Sequence, residues 1–273
     1  MAATERSRFL ILCKTYPSPS AKYNETSCVA AIREDGKLIR LFPIPYRLLD
    51  SDGKFTKWQW IEAVVKKSTD DHRIESYKIS IDTIVLKDKI NTKFNWKDRY
   101  YWLEMLKLFH NFNDINAAQK ADLISLALLK PARIDKIELV PTIAEWTVEE
   151  KDKLLRDDKI DNLFIGEAST VPKKILRKIP FDFYYHYTCI DPDGMLQSFK
   201  HKIVDWEVGA LYWTCLKLYK TQWETKFREK LEQDFSEKNL YFLMGNMHRF
   251  QNQWLIISLL YPPKKLEGQL GLF

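Results

Sequence analysis

Apolar and polar positions change their period twice along the chain. Over residues 1–90, short apolar runs at 8–14, 28–33, 38–43, 58–66 and 78–86 alternate with polar turn residues, which predicts strands. Glu34-Asp35-Gly36-Lys37 is a short Asp-Gly turn that joins the second and third runs as a hairpin. From Lys89 onward the spacing becomes helical: 96–109 and 117–129 carry apolar residues three and four apart, the latter stopped by Pro131. A strand at 133–140 follows, then a polar helix to about Asp158 that opens on the capping box Thr147/Glu150. Runs 181–190 and 195–203 enclose Asp191-Pro192-Asp193-Gly194, a second hairpin. Val208, Leu211, Cys215, Leu218, Phe227, Leu231 and Phe235 then recur at helical spacing, which predicts one rod of roughly 45 Å. Strands at 240–244 and 254–261 close the pattern before Pro262-Pro263.

The predicted class is therefore α+β. It comprises a small β-rich sheet or partial barrel (1–90), a helical connecting region (91–165), an α+β unit with one long helix (166–263) and a flexible tail (264–273). With 273 residues, 45% of them apolar, the chain can bury a substantial core. The longest apolar run, Trp254 to Tyr261, is far short of the ~20 residues a membrane crossing needs. Residues 1–8 are polar and no signal-peptide core follows, so a cytoplasmic protein with no membrane partner is expected. Cys13, Cys28, Cys189 and Cys215 are scattered through apolar stretches, as expected for buried reduced thiols.

Catalytic signatures are missing. Eight glycines, none adjacent, leave neither a dinucleotide fingerprint nor a phosphate loop, and the zinc-protease, serine-hydrolase and deaminase motifs do not occur. No cofactor and no metal site is recognisable. Acid-x-Lys triplets of the metal-dependent nuclease kind, such as Asp35-Gly36-Lys37 and Asp52-Gly53-Lys54, are no more frequent than chance allows. The best catalytic candidates are His201, Asp205 and Glu207, where a strand feeds the long helix; a nuclease built on them would need Mg²⁺ or Mn²⁺. Asp205 equally suits a helix N-cap. His110 and His186 sit in aromatic stretches as core imidazoles, and His72 and His248 fall in loops.

The net charge of +6 is concentrated at the two ends of the chain, which permits nucleic-acid binding without demanding it. Trp58 and Trp60 share one strand face near Lys54 and Lys57, in the same unit as Arg33, Arg40 and Arg47. Such a group binds single strands if the indoles are exposed to stack on bases, and is ordinary core if they are not. Lys173, Lys174, Arg177 and Lys178, between Pro172 and Pro180, form a second basic segment suited to phosphate contact or to plain solvation.

The last five residues, Gln269-Leu270-Gly271-Leu272-Phe273, carry the most specific signal. They resemble the motif Gln-Leu-Ser/Asp-Leu-Phe of bacterial sliding-clamp-binding proteins. That resemblance implies that Gln269 hydrogen-bonds at the rim of a clamp pocket which Leu270, Leu272 and Phe273 fill. Gly271 departs from the motif and adds chain entropy that binding must remove. The alternative is a hydrophobic latch folded onto the chain's own body. The leading expectation is a DNA- or nucleic-acid-binding protein of bacterial DNA metabolism (repair, mobile-element targeting or antiviral defence) tethered to the sliding clamp. The alternatives are a metal-dependent defence nuclease and a protein-interaction subunit without DNA contact.

Overall fold

The structure, a computed structural model, describes residues 3–155 and 175–264. Its first strands are β1 (Thr4–Lys14), β2 (Ser18–Ser20), β3 (Asn24–Arg33), β4 (Leu38–Ile44), β5 (Gln59–Lys67) and β6 (Ser76–Lys89). β1 pairs antiparallel with both β3 and β5, β3 with β4, and β5 with β6, while β4 and β6 meet in parallel. Leaving aside the short β2, the order is first-second-third-fifth-fourth and back to the first. That closed five-stranded Greek key is the topology of the OB-fold. Where a sheet or partial barrel was expected, a closed barrel forms, because β1 has a hydrogen-bonded neighbour on each edge.

Alternation explains how the barrel is used. Phe9, Ile11, Val29, Ala31, Ile61 and Val65 point into it and form its core. The intervening Leu10, Leu12, Ala30 and Ile32 point outward and are buried as well, against a second sheet. Both faces of β1 and β3 are dry, so their sequences read as continuous apolar runs.

The second sheet contains β7 (Leu108–Phe109), β8 (Leu126–Leu129), β9 (Arg133–Pro141), β10 (Phe181–Ile190), β11 (Leu196–Ile203), β12 (Tyr241–Asn246) and β13 (Trp254–Leu260), in the order β7-β8-β12-β13-β11-β10-β9. Leu126, Leu128, Tyr241, Leu243 and Ile257 face the barrel. Ala127, Leu129, Phe242, Met244 and Ile256 face the other way, against Val208, Tyr212 and Cys215 of α4 (Trp206–Tyr219) and Phe227 of α5 (Trp223–Arg228). At Gly209 on α4 an added Cβ would press into the ring of Tyr16, so only glycine lets the helix lie this close to the barrel's first loop.

Two helical expectations are corrected. The stretch 117–129 is helical only as far as Lys120; Leu126–Leu129 is a central strand, buried on both faces and therefore without strand-like alternation. Among the described residues of the middle region the helices are Lys93–Glu104 (α1), whose residues Phe94–Trp96 have positive φ, Phe112–Lys120 (α2) and Val148–Leu155 (α3), interleaved with β7, β8 and β9. The single rod is also broken. Lys220 adopts φ +47° and ψ −114°, and the chain turns through Lys220–Gln222 before α5 continues into a π-helical turn at Glu229–Asp234. Apolar spacing persists across the break because both segments cover the same sheet. Among the described residues no helix is long and apolar enough to cross a membrane. All four cysteines are free thiols, with Cys28 only half-buried.

Candidate nucleic-acid interface

A cleft of about 970 Å³ opens where the barrel meets the second sheet. Three barrel elements form one wall: the β1–β3 loop with Tyr16, Lys22 and Tyr23, strand β4 with Arg40 and Phe42, and the β5–β6 loop with Asp70, Asp71 and Arg73. In barrels of this topology, that face and those two loops are where oligonucleotides and oligosaccharides bind. Lys202, Asn246, Met247 and His248 of the second unit form the opposite wall.

The floor is a buried polar seam. Arg40, 3% exposed, donates from Nη1 to the Asn246 carbonyl (3.1 Å) and from Nη2 to the Ser125 carbonyl (2.8 Å). Arg73 donates to the same Asn246 carbonyl (2.6 Å) and grips Asp71 through Nε and Nη2 at 2.9 and 2.6 Å. Glu75 accepts from the Ser125 amide at 2.9 Å. Arg40 on β4 with Arg73 and Glu75 from the β5–β6 loop thus tie the barrel to the second sheet through a charge-assisted network. The Ser76 hydroxyl and the Asn246 side-chain carbonyl, both buried in the cleft lining, have no hydrogen-bond partner.

The rim carries aromatic rings and charges of both signs, Lys22, Lys78 and Lys202 beside Asp70, Asp71 and Asp82. Lys22 is exposed beside Tyr23, its ammonium 5.2 Å from the ring centroid. Lys78 and Lys202 are ion-paired with Asp70 and Asp182, and His248 lies 4.0 Å from Asp71. Phe42 is 43% exposed on a strand whose neighbours Leu41 and Ile44 are wholly buried, so its ring is offered to solvent at the cleft wall. Cations with open aromatic faces bind single strands through phosphate attraction and base stacking.

Of the nucleic-acid-binding candidates named from sequence that lie among the described residues, Arg40 alone lines this cleft, and it serves as floor rather than rim. Arg33 is bound to Glu5 and Asp35, and Arg47 to Glu25. Lys54 is exposed. Trp58 is 3% exposed and packs with the partly buried Trp60 in the interface core, the outcome in which the indoles fill the core. Lys57 lies in a different pocket, paired to Glu207 at 3.0 Å. Arg177 stacks on Trp213 at 3.5 Å and Lys178 donates to the Glu145 carbonyl. Lys173, Lys174, Gln269, Leu270, Leu272 and Phe273 lie outside the described residues. The cleft aromatics were missed because Tyr23, Phe42 and Tyr77 are far apart in sequence; only barrel closure gathers them.

The catalytic candidates do not form a site. Asp205 is 3% exposed and caps α4 through the Glu207 amide (2.8 Å), while its other oxygen accepts from the Leu259 amide at 2.9 Å and the Ser258 hydroxyl at 3.2 Å. His201 is half-buried on β11, bonded to the Tyr187 hydroxyl at 2.9 Å and packed on Phe112 at 4.2 Å, and desolvation lowers its pKa to about 4. No cluster of three or more His, Cys, Asp or Glu suited to a metal occurs among the described residues. Two other histidines also differ from expectation: His110 is exposed, and His186 pairs with Glu138 at 2.6 Å near the surface. Their aromatic neighbours alternate to the far face of the strand, so adjacency in sequence did not mean burial.

An OB-type barrel welded to a seven-stranded mixed sheet defines the class of the molecule. The chain belongs to the DUF8757 family, a domain of unknown function whose model matches residues 109–273. Residues 5–105, which hold the barrel, match a second domain of unknown function, DUF8758. No curated protein matches the chain. A solved structure described as a replication protein A heterotrimer bound to ssDNA aligns at 8% identity and a TM-score of 0.22. That alignment covers 97% of this chain and 66% of the other, just under two thirds of its length, and is too weak to speak for either fold or function.

Proposed function

We propose that the protein binds single-stranded nucleic acid in the cleft across β4, and that its C-terminal peptide recruits it to the bacterial sliding clamp. The observation that carries the first part is the exposed Phe42, with Tyr23 and the rim lysines, on the face of an OB-type barrel where strands are bound in other proteins. Topology supplies the location by analogy, and the lining supplies the chemistry. The second part rests on the likeness of Gln269-Leu270-Gly271-Leu272-Phe273 to clamp-binding peptides. Linking a modest clamp affinity to a modest strand affinity raises the effective concentration of each, which suits a chain with a net charge of only +6.

Fluorescence anisotropy with a labelled thymidine 20-mer, at 50 and 200 mM salt, tests the cleft. Binding is expected to weaken with salt, each phosphate contact adding about −0.7 to the logarithmic slope. Phe42→Ala is expected to cost roughly 1–3 kcal/mol of affinity, the value of one stacked base. Absence of binding at 50 mM salt, or an unchanged affinity in Phe42→Ala, would remove the cleft from consideration. Salt-independent or absent binding would favour the protein-interaction reading.

Deleting Gln269 to Phe273 tests the tether separately. Capture by purified clamp is expected to be abolished while the thermal midpoint stays essentially the same. Undiminished capture would exclude the peptide as the tether, and a large fall in the midpoint would support the latch.

A further inference from the structure

A second pocket of about 560 Å³ lies at the start of α4 and shares no lining residue with the cleft. Four basic side chains line it, Lys14, Lys57, Lys89 and Arg99, against two acids, Asp205 and Glu207. The acids are already committed. Asp205 is occupied by backbone amides and Ser258, and Glu207 accepts from Lys57.

Three cations have no carboxylate at ion-pair distance among the described residues: Lys89, which is exposed to solvent, and Lys14 and Arg99, which are not. Lys14 makes one hydrogen bond, to the Phe55 carbonyl at 3.2 Å, and its ammonium sits 3.7 Å from the Tyr46 ring centroid and 5.5 Å from that of Trp206. Arg99, 7% exposed, donates only to the Ile90 carbonyl and lies 4.5 Å from the Trp96 ring centroid and 5.0 Å from that of Trp58. Burial lowers the pKa of both, that of Lys14 to about 8. Desolvated cations are costly unless a counter-charge reaches them. Here each is held against aromatic rings and lines a pocket that is open to solvent on one side.

We infer that this pocket is a binding site for a small anionic molecule with a flat aromatic body, of the nucleoside monophosphate class. The anion supplies the counter-charge that Lys14 and Arg99 lack, and the indole walls pack on the ring. Lys57 and Trp58, noted from sequence as strand-binding candidates, belong to this pocket. The inference does not depend on how the cleft is used.

Isothermal titration of the full chain with AMP, adenosine and inorganic phosphate tests it. AMP is expected to bind, and to bind at least about tenfold more tightly than either adenosine or phosphate alone, because both parts contribute. Lys14→Met and Arg99→Gln are each expected to weaken AMP by about tenfold or more while leaving thymidine 20-mer binding unchanged. Quenching of tryptophan fluorescence by AMP is a second readout, since Trp58, Trp96 and Trp206 all line the pocket. No heat and no quenching with millimolar AMP would overturn the inference. Equal affinity for AMP and phosphate would remove the aromatic body, and binding that survives both substitutions would place the ligand elsewhere.

Discussion

Replacing Asp205 by alanine is expected to destabilise the fold by about 3–5 kcal/mol, the cost of breaking a buried charged network by removing one member. The carboxylate is 3% exposed and satisfies the Glu207 and Leu259 amides and the Ser258 hydroxyl, with the Lys57 ammonium 4.0 Å away. Burial raises its pKa and the nearby Lys57 partly restores the charge. Lys57 is itself buried, and the two carboxylates more than offset the effect of that burial. Without Asp205, α4 loses its cap, an amide of β13 is orphaned and Lys57 keeps Glu207 and the Leu259 carbonyl. Asp205→Asn retains one acceptor and is expected to cost less. Urea unfolding of the three proteins reads the difference directly. A midpoint for Asp205→Ala within error of the parent would contradict the structural role, and would revive the residue as a reactive group.

Acid is expected to weaken the fold before its surface carboxylates titrate. His201 is half-buried on β11, and desolvation lowers its pKa from 6.5 to about 4. Between those values the unfolded chain takes up a proton that the folded chain refuses. Stability is therefore complete above about pH 6.5 and falls as pH drops, by up to roughly 1.4 kcal/mol per unit. The integrated loss down to pH 4 is about 3 kcal/mol. The Glu138 carboxyl, whose pKa its Lys200 and His186 partners lower to about 2, loses its contribution only as pH falls below the ordinary glutamate range. Burial raises the Asp205 and Glu25 carboxyls, so a histidine variant is needed to separate the share of His201 from theirs. His201→Gln, whose amide keeps a polar group beside the Tyr187 hydroxyl, is expected to flatten the slope between pH 6.5 and 5. An identical slope in that variant would assign the acid sensitivity to other groups.

Local rules were legible in the sequence wherever a short motif is completed by nearby residues. Thr147 and Glu150 exchange the two bonds of a capping box, and Asp191 accepts from the amides of Asp193 and Met195 in its hairpin turn. Asp205 caps its helix as a residue of that type at that position should. Features set by packing were not legible. Leu126–Leu129 is a strand because it lies between two covered layers, and its run of apolar residues fits either period. Lys220 breaks the long helix with no glycine or proline to announce it. Arg40 reads as a surface cation among strand residues, yet two carbonyls from distant segments make it part of the interface.

The cleft follows the same logic. Its loops, 15–23 and 68–75, are polar and unremarkable one at a time. Their adjacency comes from β1 pairing with both β3 and β5, a closure that no local pattern encodes. The tryptophans that suggested stacking instead became core, because Trp58 precedes a strand whose outer face is covered by the second unit.

Ultraviolet cross-linking of the full chain to a thymidine 20-mer, with the modified peptides mapped by mass spectrometry, tests the central claim most directly. Adducts are predicted at Tyr23, Phe42 or Tyr77, and Phe42→Ala should lose its own. Adducts confined to residues away from the cleft, with none on those three, would contradict it.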